Sequence, residues 1–156
     1  MHCVQIVGND FDAVLKKMFG TRGAEKRIER AVRIGGQHYD DLGIGTQFET
    51  AVESVDYCRE IRNQYAHCIW WDDLSGQLAF ANLEWLAKDD ALVENLSGLT
   101  PNYLDVPLLE EQLAYYEYAE LLLKWVKLEG MRLAGQSSQR FEVPEHQDQP
   151  RRFISP

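Results

Sequence analysis

Apolar residues recur at three- and four-residue spacing through most of this chain, and the places where that rhythm fails divide it into segments. Val4, Ile6, Val7, Phe11, Val14, Leu15 and Met18 predict a first helix over about residues 3 to 19, closed by Gly20. Ile28, Ala31, Val32 and Ile34 predict a second over about 23 to 34, with Gly35-Gly36 as its stop. A third is expected to open with Thr46 and Glu49 as a capping box. It carries Phe48, Ala51, Val52, Val55, Tyr57, Cys58, Ile61, Tyr65 and Ala66 on its apolar positions as far as His67. Ile69-Trp70-Trp71, the polar run Asp72-Asp73-Leu74-Ser75-Gly76 and Gln77-Leu78-Ala79-Phe80 then alternate and turn as a β-hairpin does.

Residues 84 to 100 are mixed and acidic, with room for one short helix before a turn at Thr100-Pro101-Asn102. Asp105 is placed to cap a long last helix with Pro107 in its first turn. Leu108, Leu109, Leu113, Tyr116, Tyr118, Ala119, Leu122, Trp125 and Val126 form its apolar face, and Gly130 or Gly135 ends it. From Gln136 onward Ser, Gln, Pro and charge dominate. The expected organisation is a single helical domain over 1–135 and a polar, flexible tail over 136–156 that a partner could order. No segment repeats.

The 156 residues are 45% apolar and 11% aromatic, enough for one core. No apolar run approaches a membrane span, and the first residues, with Asp10 and Asp12 close behind, do not read as a secretory leader, so the expected location is cytoplasmic with no membrane partner. Cys3, Cys58 and Cys68 are an odd set without a C-x-x-C pair, and reduced, buried thiols are expected of them. The formal charge of −9 argues against a general nucleic-acid coat. That charge is uneven: residues 1 to 67 hold nine Lys/Arg against ten Asp/Glu, residues 68 to 156 seven against fifteen. Lys16, Lys17, Arg22, Lys26, Arg27, Arg30 and Arg33 make a basic stripe, which reads either as a polyanion dock or as a solvated, salt-bridged helix face.

The densest polar chemistry is Arg59-Glu60-Ile61-Arg62-Asn63-Gln64-Tyr65-Ala66-His67. Arg62-Asn63 followed by Ala66-His67 on a helix end resembles the R-x4-H signature of HEPN domains, small helical bundles of bacterial defence and toxin–antitoxin systems, many of them metal-independent ribonucleases. That resemblance implies an all-α fold, a HEPN-like four-helix bundle with a small β-hairpin after the third helix. It also implies a homodimer that brings two motif helices to one cleft, RNA as substrate, no cofactor, and a cognate antitoxin or regulatory protein as a further partner in toxin–antitoxin or phage-defence roles. Ile69 stands where one variant of the signature has tyrosine. The upstream Glu-x3-Lys pattern is met only by Glu29 and Arg33, which is also an ordinary i,i+4 pair.

The residue types suit RNA cleavage without a metal. Histidine exchanges protons near neutral pH, and arginine offers a planar donor fork to phosphate oxygens. In this reading His67 moves the proton and Arg62 steadies charge on the phosphate, with Asn63 fixing the imidazole or a ribose hydroxyl. Glu60 is a candidate to hold the other ring nitrogen, Arg59 a further phosphate contact, and Trp70 and Trp71 candidate base-stacking rings. At about 100° per residue, Arg62 and His67 lie roughly 140° apart around one helix axis, so a straight helix does not aim both at one phosphate. Either the last turn unwinds or a second protomer completes the site. Against these stand plainer readings: His67 satisfying helix-end carbonyls, Arg62 paired with Glu60 or Asp56, Asn63 in solvent, and at least one tryptophan packing in the core. The scattered His2, His38, His67 and His146 do not form a metal-ligand pattern, and Asp72-Asp73 reads as turn chemistry. The competing function is a non-catalytic binding module for RNA, nucleotide or a protein partner.

Overall fold

The computed structural model describes residues 11–20, 22–88 and 100–155. His2, Cys3, Val4, Ile6 and Val7, and the part of the acidic segment over 89–99, lie outside the described residues. The described chain forms α1 (Phe11–Phe19), α2 (Ala24–Asp41), α3 (Gly45–Ala66), β1 (Cys68–Asp72), β2 (Leu78–Asn82), α4 (Leu83–Lys88), β3 (Asn102–Leu104) and α5 (Val106–Leu133). A helical chain with a hairpin after its third long helix is therefore present, and a third strand joins that hairpin. The chain divides into two compact units: Met1–Cys58 with Tyr116–Gln147, and Arg59–Tyr115 with Asp148–Pro156.

In the first unit, Val14 and Met18 of α1 are buried against Ala31 and Ile34 of α2. Helix α2 does not stop at Gly35-Gly36 but runs on to Asp41. The reason lies in packing: Gly35 is buried, and a Cβ there would come within 2.8 Å of the Phe48 ring, so the missing side chain makes room for α3. Phe48 stacks in turn on Tyr39, with ring centroids 4.5 Å apart. The true stop is Gly43, whose φ of 77° suits glycine and whose amide donates to the Asp40 carbonyl at 2.9 Å. Helix α3 begins at Gly45, one residue before Thr46, so Thr46 and Glu49 lie inside its first turns. In the same unit Tyr118, Ala119, Leu122, Trp125 and Val126 of α5 are buried, and the Trp125 indole donates to the Phe141 carbonyl at 3.1 Å.

In the second unit β1, β2 and β3 form an antiparallel sheet in that order. The register pairs Cys68 with Asn82, Trp70 with Phe80 and Asp72 with Leu78 on one side of β2, and Leu78 with Leu104 on the other. At the hairpin tip the Asp72 carboxylate accepts from the Leu74 amide at 2.7 Å and Asp73 from the Ser75 amide at 3.0 Å, the turn chemistry expected of that pair. Phe80, Leu104 and Leu108 form the core, with Tyr65, Cys68, Phe153 and Ile154 packed against it. Asp105 caps α5 as expected, its carboxylate accepting from the Leu108 amide at 2.9 Å.

The polar C-terminal segment forms no helix, yet it has fixed partners. Tyr103 and Ile154 exchange both backbone hydrogen bonds at 2.9 Å, which lays the chain end beside β3. Pro150 is buried. Composition marks this stretch as low in apolar residues; two of them, Phe153 and Ile154, pack against the Phe80 core, and the backbone carbonyl of Arg152, its guanidinium and the Ile154 backbone supply polar anchors.

Candidate functional site

The end of α3, the hairpin and the start of α4 place the motif within the second unit. Helix α3 ends at Ala66, and His67 is a turn residue leading into β1. The carbonyl of Gln64 in the last turn is satisfied by the Asn82 side-chain amide at 3.0 Å and by the Cys68 thiol. His67 is therefore not the residue that satisfies that carbonyl. The Cys68–Asn82 pairing returns the chain to the helix end after one hairpin, where the Leu83 amide donates to the His67 carbonyl at 2.8 Å. Asn82, itself buried, then caps α4 by accepting from the Glu84 amide at 2.9 Å.

This sequence of contacts brings Glu84 to the imidazole. His67 Nε2 lies 3.5 Å from Glu84 Oε1, with both side chains more than half exposed. An exposed pair of this kind, charged only when the imidazole is protonated, contributes about 0–1 kcal/mol and adds little to the stability of the fold. Glu84 takes the place expected of Glu60, which instead accepts from the Arg152 guanidinium at 3.2 Å. The helix turns Glu60 toward the C-terminal segment, and only the hairpin register shows that a carboxylate far along the chain from His67 ends beside it.

Arg62 and Asn63 are both exposed, and the Arg62 guanidinium donates to the Asn63 side-chain carbonyl at 3.2 Å. Asn63 thus engages Arg62 rather than the imidazole. No hydrogen bond or ion pair joins Arg62 to His67 among the described residues, in keeping with their separation around the helix. Arg59 is half-buried one turn earlier. Trp70 packs on Phe80, with centroids 4.9 Å apart, and reaches Tyr65 at 5.6 Å, while 39% of its surface stays exposed. Trp71, the next residue along the strand, projects from the opposite sheet face by the period of two. The two rings therefore do not form one stacking platform.

The opposite side of the helix end is built from buried amides. Gln64 and Gln112 are each 3% exposed. Gln64 donates to the Arg152 carbonyl at 2.6 Å, and Gln112 donates to the Arg151 and Arg152 carbonyls at 2.9 and 3.0 Å. The Tyr65 hydroxyl donates to the Gln112 side-chain carbonyl at 2.8 Å. Burial pushes the Tyr65 hydroxyl and the Cys68 thiol above their ordinary pKa ranges. It carries the Cys58 thiol, in the first unit, to about 11. Both thiols are free of disulfides and remain protonated at neutral pH.

Glu84, Asn82, Gln64 and Gln112 carry no signal in the periodic pattern. The one local cue was Asn82 directly ahead of Leu83-Glu84, a capping residue before a helix start. Among the described residues no three His, Cys, Asp or Glu side chains gather as metal ligands, and no helix is long and apolar enough to cross a membrane. No family model, curated protein or solved structure matches this chain.

Proposed function

We propose that the chain is a HEPN-type endoribonuclease that cleaves RNA by metal-independent His/Arg chemistry. The observation that carries this reading is the exposed helix end itself: His67 held beside Glu84 at 3.5 Å, with Arg62 and Asn63 open to solvent one turn earlier. His67 takes the 2′-hydroxyl proton or returns one to the 5′-oxygen, and Glu84 orients the ring as a positioning residue. Arg62 binds the phosphate and stabilises its developing charge, with Arg59 as a further contact. The exposed part of Trp70 offers a surface for an unpaired base. Because Arg62 and His67 of one chain do not meet, the working site takes Arg62 from one protomer and His67 from its partner in a homodimer. A defence or toxin effector restrained by a cognate protein is the setting in which such an enzyme fits.

The test is cleavage of single-stranded RNA by the full chain in EDTA. His67→Ala and Arg62→Ala are expected to lose roughly 10²–10⁴-fold in rate. Mixing the two inactive variants is expected to restore activity, since a mixed dimer then holds one intact pair. Undiminished cleavage by His67→Ala sinks the mechanism, and no recovery on mixing sinks the shared site. A second reading, a non-catalytic binding module, draws on the engagement of Arg62 with Asn63. It prevails if no RNA is cut while a ligand still binds His67→Ala.

A further inference from the structure

The basic stripe on the first two helices is gathered by the fold into one place. Lys17 from the last turn of α1 and Arg30, Arg33 and Ile34 from α2 line an open cleft of about 480 Å³ within the first unit. Clefts of roughly 300–1,000 Å³ are the size that takes small ligands. Arg30 and Arg33 are three residues apart and share a helix face. The Arg30 guanidinium donates to the Lys17 main-chain carbonyl at 2.6 Å, which ties the two helices together and fixes the direction of that fork. Arg33 and Lys17 are exposed, and among the described residues no carboxylate joins them in the lining. Three cations converging in this way repel one another, and an anion relieves that repulsion as well as pairing with each of them. Ile34, packed against Val14 and Met18, supplies the apolar part of the lining.

We propose that this cleft is a phosphate-binding site, in which pre-aimed Arg30, with Arg33 and Lys17, holds the phosphate group of a nucleotide or of a single-stranded RNA backbone. Arginine forks match phosphate oxygens in pairs, and the lysine supplies a compact charge beside them. The site lies apart in sequence from the His67 motif and does not require that RNA be cleaved. It accounts for how a chain of net charge −9 can engage a polyanion, by local rather than overall charge.

The full chain, labelled for NMR, is titrated separately with inorganic phosphate, a nucleoside triphosphate and a twelve-nucleotide single-stranded RNA. Saturable shifts of the Arg30 and Arg33 side-chain signals are expected with at least the triphosphate or the RNA. The double variant Lys17→Gln, Arg33→Gln alters only exposed side chains and leaves the Arg30 tie in place. It is expected to weaken binding roughly tenfold or more for each cation removed. His67→Ala is expected to bind at the cleft as the unaltered chain does, which separates this proposal from the ribonuclease reading. Tighter binding of the triphosphate names a nucleotide as the source. Tighter binding of RNA, with a log–log salt dependence that becomes shallower by about 0.7 for each cation removed, names the backbone. No saturable shift at the cleft with any probe, or equal affinity in the double variant, overturns the proposal.

Discussion

The last turns of α3 present two faces that differ in how they are held. Arg62, Asn63 and His67 look outward, and their partners are exposed side chains: Asn63 for Arg62 and Glu84 for His67. Gln64 and Tyr65, between them in sequence, look inward and meet Gln112, the Arg152 carbonyl and the Phe80 ring. The residue types that attract attention in the sequence are thus the weakly restrained ones, and two unremarked glutamines do the structural holding. Proton exchange and phosphate capture need access to solvent and substrate. Seating a polar chain end needs the reverse, because a buried carbonyl left without a donor costs about 1–3 kcal/mol.

Breaking the inward face is expected to have the largest effect on stability. Gln112→Leu removes the donor to the Arg151 and Arg152 carbonyls and the acceptor of the Tyr65 hydroxyl. A loss of roughly 2–3 kcal/mol is expected from urea unfolding. The Ile154 amide, which donates to the Tyr103 carbonyl, is expected to exchange with solvent faster. Unchanged protection of Ile154 would show that the chain end is held some other way.

A smaller effect sharpens the comparison through pH. Tyr65 and Cys68 have folded-state pKa values raised by burial, so the folded state holds their protons more tightly than the unfolded chain does. Their contribution is therefore complete below the ordinary thiol and phenol ranges, about 8.5 and 10, and is lost as pH rises through the raised values. Urea midpoints are expected to fall from about pH 8 to about pH 10.5, with the buried Cys58 thiol of the first unit, raised to about 11, contributing to the same fall. Tyr65→Phe, which removes the phenol, is expected to fall less steeply over that interval; an identical slope removes Tyr65 from the account.

The outward face is expected to be almost silent in stability. Arg62→Ala, His67→Ala and Glu84→Gln each remove one side of an exposed pair, so shifts within about 0.5–1 kcal/mol are expected. Thermal unfolding that drops by more than this in any of the three would mean that the face is built into the fold. Stability-neutral variants are also what makes the RNA assays readable, since a drop in cleavage then cannot be ascribed to unfolding.

Much of the element order was legible because amphipathic periodicity is a local property. The third helix, the hairpin after it and the Asp105 cap follow from residues within a few positions of each other. Gly35 misled for a physical reason: a glycine that ends a helix and one that admits a neighbouring ring are the same residue type in sequence, and only Phe48 distinguishes them. Glu60 misled likewise, since its helix position fits a partner for His67, whereas Arg152, 92 residues on, claims it. Seven basic residues were visible as a stripe, but not that three of them share one cleft.

By itself the sequence determined the order of the long helices, the hairpin after α3 and the Asp105 cap, because backbone hydrogen bonding and apolar spacing are set within a turn or two, but not where α2 stops or that β3 joins the hairpin. Only the tertiary structure decided which carboxylate meets His67, what holds the polar chain end, and where positive charge converges. Those outcomes depend on strand register and on contacts between residues far apart in the chain, for which no local pattern exists.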